Sequence, residues 1–228
     1  MNAMSPLILF DFDGTLADTA PDLAAAANRQ RTRQGLAPLP YEALRPHASH
    51  GARGLLKAAL DLNPDDDAYP RVRQQFLDDY AQAMLVHTQL FPGVAELIEQ
   101  LARQALAWGI VTNKVEALAL PIVRHFGLDA RCAVTVGGDT TPHTKPHPEP
   151  LLYAARQVGA RPEHCIYIGD DARDIQAGKA AGMATVAAAY GYCADDPASW
   201  QADIIARSPA DLWPIIQRWQ QRDTNPPR

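Results

Sequence analysis

Asp11 and Asp13 stand one residue apart at the end of an apolar run, in the stretch LILFDFDGTLADTAPD. Like charges this close repel, so the pair needs a chemical reason. Residues two apart in an extended strand point to the same side, which lets both carboxylates face one cleft. Thr112 and Asn113, then Lys145, then Asp170, Asp171 and Asp174 follow later apolar runs. Clustered carboxylates are stabilised by a hard divalent cation, and Mg2+ suits a site of few carboxylates that keeps water or substrate oxygens in its shell. A lysine and a hydroxyl beside them add positive charge and a donor, which fit a phosphate. Carboxylates, cation, lysine and threonine together describe phosphoryl transfer: one aspartate attacks phosphorus and a second carboxyl moves protons.

Taken singly, each residue has a plainer reading. Lys145 alone is a solvent-exposed lysine, Thr112 a strand end, and Asp170 and Asp174 acids that complement a helix dipole. Their shared position after apolar runs joins them. Leu7–Phe10 reads as a strand buried on both faces of a parallel sheet, and segments 106–112, 132–138, 165–170 and the run from Ala184 read as further strands. Amphipathic segments 94–104, 115–126 and 151–158, with another around 175–181, alternate with them as helices. This pattern predicts an α/β fold with a parallel sheet, whose ligands bind at the carboxyl ends of the strands.

Residues 18–86 have a different character. Thr19 can cap a helix with Pro21 in its first turn and Gly35 beyond its end, and 53–60 and 69–86 read as further helices. The segment is too long for a crossover loop and reads as an all-helical insertion, with 87–93 as the return hinge. The expected division is a core of 1–17 and 88–228 and a helical cap of 18–87.

Bulk properties narrow the function. The chain of 228 residues is 47% hydrophobic and 21% charged, with a formal net charge of −5, which supports neither nucleic-acid binding nor a polybasic membrane anchor. Residues 1–6 lack the basic and apolar segments of a signal peptide, and no run reaches the length of a transmembrane helix. Cys132, Cys165 and Cys193 lack disulfide or metal-binding spacing, consistent with a cytoplasmic protein. A monomer is expected, with fraying in the polar tail from Arg222. His143 and His147, flanking Lys145, read as loop residues.

The stretches DFDGTLADT, VTNK, KPHPEP and GDDARDI, in this order, resemble the motifs of the haloacid dehalogenase superfamily of phosphohydrolases. The resemblance spans nearly the whole chain and implies a Rossmann-like parallel-sheet core with an inserted helical cap. It implies that Asp11 is the nucleophile that becomes an aspartyl-phosphate. Asp13 would be the general acid and then the base, with its backbone carbonyl on Mg2+. Thr112 and Lys145 would hold phosphoryl oxygens, Asn113 would assist through its backbone, and Asp170 and Asp174 would support the metal. Asp171 occupies a variable motif position.

GGDTTPHTKPHPEPLL resembles bacterial phosphoglycolate phosphatases, whereas HGARGLLKAALDLNPD, VHTQLFPGVAEL and YGYCADDPASWQAD resemble N-acetylmuramic acid 6-phosphate phosphatases. The expected partner is therefore a small phosphorylated metabolite, with the muramate ester favoured over phosphoglycolate. A sugar-phosphate phosphomutase shares the same core motifs. In the cap, Arg53 would meet a substrate carboxylate, which both candidate substrates carry, and His50 and Ser49 would contact sugar hydroxyls or shape the turn.

Overall fold

Every residue of Leu7–Phe10 (β1) is buried, as a strand covered on both faces requires. In this computed structural model, which describes residues 6–223, β1 lies within a six-stranded parallel sheet. After β1 come Ala17–Asp18 (β2), Ala20–Arg33 (α1), Tyr41–Leu44 (α2), Gly51–Leu60 (α3), Tyr69–Ala83 (α4) and Gln89–Leu90 (β3). Val94–Arg103 (α5), Ala107–Val111 (β4), Glu116–His125 (α6), Val134–Val136 (β5) and Glu149–Val158 (α7) follow. Cys165–Gly169 (β6), Ala172–Ala180 (α8), Ala184–Ala188 (β7), Ile204–Ala206 (β8) and Leu212–Asp223 (α9) complete the order. The N-terminal residues 1–5 and most of the polar tail lie outside the described residues.

The sheet runs β5-β4-β1-β6-β7-β8. Phe10 is in register with Ile110 of β4 and Ile168 of β6, so the carboxyl ends of these strands finish at one level. From β1 the sheet is built outward through β4 and β5, then returns to β6 on the other side. That reversal opens the crevice in which α/β folds bind ligands. Alternation along β1 feeds two cores: Ile8 and Phe10 pack with α5 and α9 residues, and Leu7 and Leu9 with α7 and α8 residues.

The helical insertion is present, and α1, α3 and α4 pack on one another. Their buried residues, including Ala27, Leu56, Val72 and Phe76, are continuous with the core on the Ile8 side of the sheet. The chain enters and leaves the insertion through an antiparallel ribbon in which Ala17 pairs with Leu90 and Asp18 with Gln89. Strands this short leave no periodicity to read in the sequence. Asp22, in the first turn of α1, is buried and accepts hydrogen bonds from the backbone N–H of Val86, His87 and Thr88 and from the Thr88 hydroxyl.

Two expectations need correction. Thr19 precedes α1, but its side chain makes no cap bond; it donates instead to Asp13, and the Tyr192 hydroxyl accepts from the N–H of Thr19 and Ala20. α4 ends at Ala83 rather than Val86, because the backbone of 86–88 turns to meet Asp22. Among the described residues, no helix is long and apolar enough to cross a membrane.

Candidate active site

The aligned strand ends bring Asp11, Thr112, Lys145, Asp170 and Asp174 together. The centre is Lys145, delivered by the loop between β5 and α7. Its Nζ lies 2.9 Å from Asp11 Oδ1, 2.8 Å from Asp174 Oδ1, 2.8 Å from the Tyr167 hydroxyl and 3.0 Å from the Val111 carbonyl. Burial works against its charge, but Asp11 and Asp174 outweigh that and hold the ammonium above its ordinary range. Asn113 sets the loop: its side-chain amide donates to the Lys145 carbonyl at 3.0 Å and its oxygen accepts from the Lys145 N–H at 2.9 Å. Asn113 is expected to assist through its backbone; the structure gives its side chain a different duty, that of holding Lys145.

Asp13 is turned differently from Asp11. Its Oδ1 accepts from Lys114 Nζ at 2.7 Å and from the Thr19 hydroxyl, and among the described residues no hydrogen bond reaches the other oxygen. Burial disfavours the Lys114 charge, yet Asp13 raises its pKa above the ordinary lysine value. Lys114 also lies over the Tyr80 ring of α4, 4.7 Å from its centroid, so a helix of the insertion touches the reacting end. Thr112 is buried, and its Oγ1 accepts from the Lys114 N–H at 3.2 Å.

Asp11, Asp170 and Asp174 offer carboxylate oxygens that lie within 4.8 Å of one another. Burial, opposed by Lys145 and reinforced by Asp174, pushes the Asp11 carboxyl up to about 7. Burial, with Asp11 and Asp174, raises Asp170 well above the ordinary carboxylate range. Lys145 pairs with Asp11 and Asp174 but not with Asp170, so a hard cation fits as the missing positive charge of the three carboxylates. Gly14 is needed beside them. It adopts φ +82°, and a Cβ there would stand 2.1 Å from Asp170 Oδ2.

Asp171 acquires a definite structural place. Its side chain caps α8 by accepting from the Arg173 N–H at 2.9 Å, while Asp174 accepts from the Asp171 N–H at 3.0 Å. Arg173 grips both Asp171 oxygens at 2.7 Å and 2.9 Å and donates to the Ser49 carbonyl at 2.7 Å, which links core to insertion. Burial opposes the Asp171 charge, but Arg173 prevails and holds the carboxyl below its usual value.

Arg53 and His50 line the same cavity, of about 360 Å³, between sheet and insertion. Burial and Arg173 lower the His50 pKa from its ordinary value. His143 and His147 are exposed loop residues with stacked rings, outside the cavity lining.

Sequence reasoning missed Lys114, Tyr167 and Arg173 as site residues. Lys114 had a signal, since it ends the VTNK stretch, and Arg173 lies within DDARD. Tyr167 had only its polar atom inside an apolar strand; the fold places that hydroxyl 2.8 Å from the Val111 carbonyl, beneath Lys145.

The chain matches the family model for haloacid dehalogenase-like hydrolases over residues 8–188. It is 45% identical over 208 residues to a phosphoglycolate phosphatase of Xanthomonas campestris, covering 90% of this chain and 94% of that one. It is 41% identical over 213 residues to the N-acetylmuramic acid 6-phosphate phosphatase of Pseudomonas aeruginosa, covering 92% and 94%. Among solved structures it resembles a predicted phosphoglycolate phosphatase from Haemophilus somnus, with a TM-score of 0.84, 31% identity and coverage of 95% and 100%. With a parallel sheet that gathers acids and a lysine at its strand ends, and with relatives named as phosphatases, this chain belongs to the haloacid dehalogenase-like hydrolases and is a phosphatase.

Proposed function

We propose that the protein hydrolyses N-acetylmuramic acid 6-phosphate through an aspartyl-phosphate on Asp11. The observation that carries the chemistry is Lys145 Nζ, within 2.9 Å of Asp11 and 2.8 Å of Asp174 at adjoining strand ends. A carboxylate oxygen of Asp11 attacks phosphorus as the ester P–O bond breaks. Asp13 gives its proton to the departing alkoxide, using the oxygen that Lys114 and Thr19 leave free. Asp13 then takes a proton from water as that water attacks the aspartyl-phosphate, releasing inorganic phosphate and regenerating Asp11. Thr112 and Lys145 hold phosphoryl oxygens, and Asn113 keeps Lys145 in place. Asp11, Asp170, Asp174 and the Asp13 carbonyl would hold Mg2+, which when bound offsets charge between phosphate and carboxylates.

Residues 18–87 act as the cap that selects the leaving group. The cavity volume, about 360 Å³, and an apolar wall that includes Leu23, Phe76, Leu77, Val115 and Leu118 support a sugar-sized ester. Glycolate offers only a single methylene to such a wall. Arg53 supplies a cation for the lactyl carboxylate, and His50 a contact for sugar hydroxyls.

The second reading is phosphoglycolate hydrolysis, favoured by the name of the Xanthomonas campestris relative. Comparison of kcat/KM for the two esters tests the choice: the muramate reading expects its ester to be preferred by at least an order of magnitude, and a preference for phosphoglycolate overturns it. Phosphate release distinguishes either from a phosphomutase, which would return an isomerised sugar phosphate. Asp11→Asn should abolish turnover, and undiminished activity in that variant would overturn the covalent route.

A further inference from the structure

One face of α4 lines the cavity. Tyr69, Arg73, Phe76, Leu77 and Tyr80 follow the helical spacing that stacks side chains on one side, and all border the cavity. Four of the five are apolar or aromatic, and Tyr69, Phe76 and Tyr80 are buried. Arg73 is the charged member. On the outward side of the same helix, polar side chains find each other: Arg71 donates to Gln75 and Gln74 to Asp78. Arg73 does not. It is solvent-exposed at the cavity rim, and among the described residues it has no hydrogen bond or ion pair, so its guanidinium is open to a ligand as well as to water.

An unpaired guanidinium beside an apolar cavity wall is ready to receive an anion, and its planar fork suits a carboxylate. The phosphoryl group is accounted for by Lys145 and Thr112, so the anion for Arg73 belongs to another part of the ligand. We infer that Arg73 is a specificity-determining residue that binds a carboxylate on the leaving group, at the end of the cavity remote from the phosphoryl group. The inference rests on the phosphatase reading and deepens it.

Helix geometry sets how remote that carboxylate is. Tyr80 marks the reacting end, since its ring meets Lys114 and Lys114 pairs with Asp13. Arg73 lies two helical turns before it, about 10 Å along the helix axis. Both side chains lean toward the helix N-terminus, so this axial separation carries over to their ends. In phosphoglycolate a single carbon separates the ester oxygen from the carboxylate, too short a span for both contacts. In the muramate ester C6, three ring carbons, O3 and the lactyl carbon separate the phosphorylated oxygen from the carboxylate, a span long enough for both contacts. Arg53, on α3 at the same cavity, can share that carboxylate.

The test compares Arg73→Met, which keeps an unbranched stem but not the guanidinium, with the parent. The ligands are N-acetylmuramic acid 6-phosphate and N-acetylglucosamine 6-phosphate, which lacks only the lactyl group. The inference expects the kcat/KM preference for the first ester over the second to fall about tenfold to a hundredfold, mainly through KM, with partial recovery in Arg73→Lys. An unchanged preference overturns it. The same comparison by calorimetric binding to the Asp11→Asn protein, with and without Arg73→Met, gives a readout independent of turnover. A parent that hydrolyses neither ester counts against the substrate reading alone. Selective weakening of muramate-ester binding still supports the Arg73 contact, and equal affinity for the two esters, or binding of neither, overturns it. A loss on phosphoglycolate equal to that on the muramate ester overturns the remote placement.

Discussion

Lys114 and Asp13, 101 residues apart in sequence, meet through a 2.7 Å contact between Nζ and Oδ1. With the Thr19 hydroxyl on the same oxygen, this contact sets the direction of the Asp13 carboxyl. Lys114→Met should lower kcat about tenfold or more while KM changes far less, because the carboxyl proposed to transfer the proton loses its orientation while the proposed phosphate ligands keep theirs. Steady-state kinetics on one ester checks this, and an unaltered kcat would mean that Thr19 alone holds Asp13.

The Asp11, Asp170 and Asp174 cluster makes cation binding visible in stability. A cation that binds the folded chain only should stabilise it by about 2.7 kcal/mol at a hundredfold excess over Kd. Thermal melts should therefore shift upward with Mg2+ and return with chelator, and Asp170→Asn should lose most of the shift. A melting temperature indifferent to Mg2+ would remove the metal from the reading.

Asp22 is the joint between the insertion and its exit strand. Asp22→Ala leaves the N–H groups of Val86, His87 and Thr88 without their shared acceptor, and should cost about 3 kcal/mol in denaturant unfolding. Asp22→Asn, which keeps one acceptor oxygen, should lose less. Equal stability of Asp22→Ala and the parent would show that solvent replaces the carboxylate.

Asp79 ties α4 to α1. It pairs with Arg33, which also donates at 2.7 Å, and accepts from buried Gln30 at 2.6 Å. The hydrogen bond from Arg33 holds the Asp79 carboxyl below its ordinary value of 3.8. A depressed carboxyl binds its proton more readily in the unfolded chain, so the pair's stabilisation is complete above pH 4 and lost as pH falls through the depressed value. The stability gap between parent and Asp79→Asn should accordingly be widest near neutrality and narrow below pH 4. Urea titrations across that range check it, and a gap independent of pH would assign the effect to packing.

The sequence by itself determined five of the six sheet strands, the insertion and most of the candidate site residues, while the edge strand β8 went unread. A strand buried on both faces must be a continuous apolar run, so Leu7–Phe10 declares itself, and polar residues that follow such runs must collect at strand ends. The identity of Asp11, Asp13, Thr112, Lys145, Asp170 and Asp174 was readable on that ground together with motif order. Tertiary structure alone decided what each side chain touches. Lys114 reaches Asp13 because β4 ends beside β1, and Tyr167 supports Lys145 from below because β6 lies on the other side. Asn113 holds a backbone 32 residues away, and Arg173 joins Asp171 to the Ser49 carbonyl. Such contacts depend on strand order and register, which bring together residues that share no local pattern. Arg73 shows the same division: its helix was readable, but its place on a cavity wall depends on how α4 sits over the sheet.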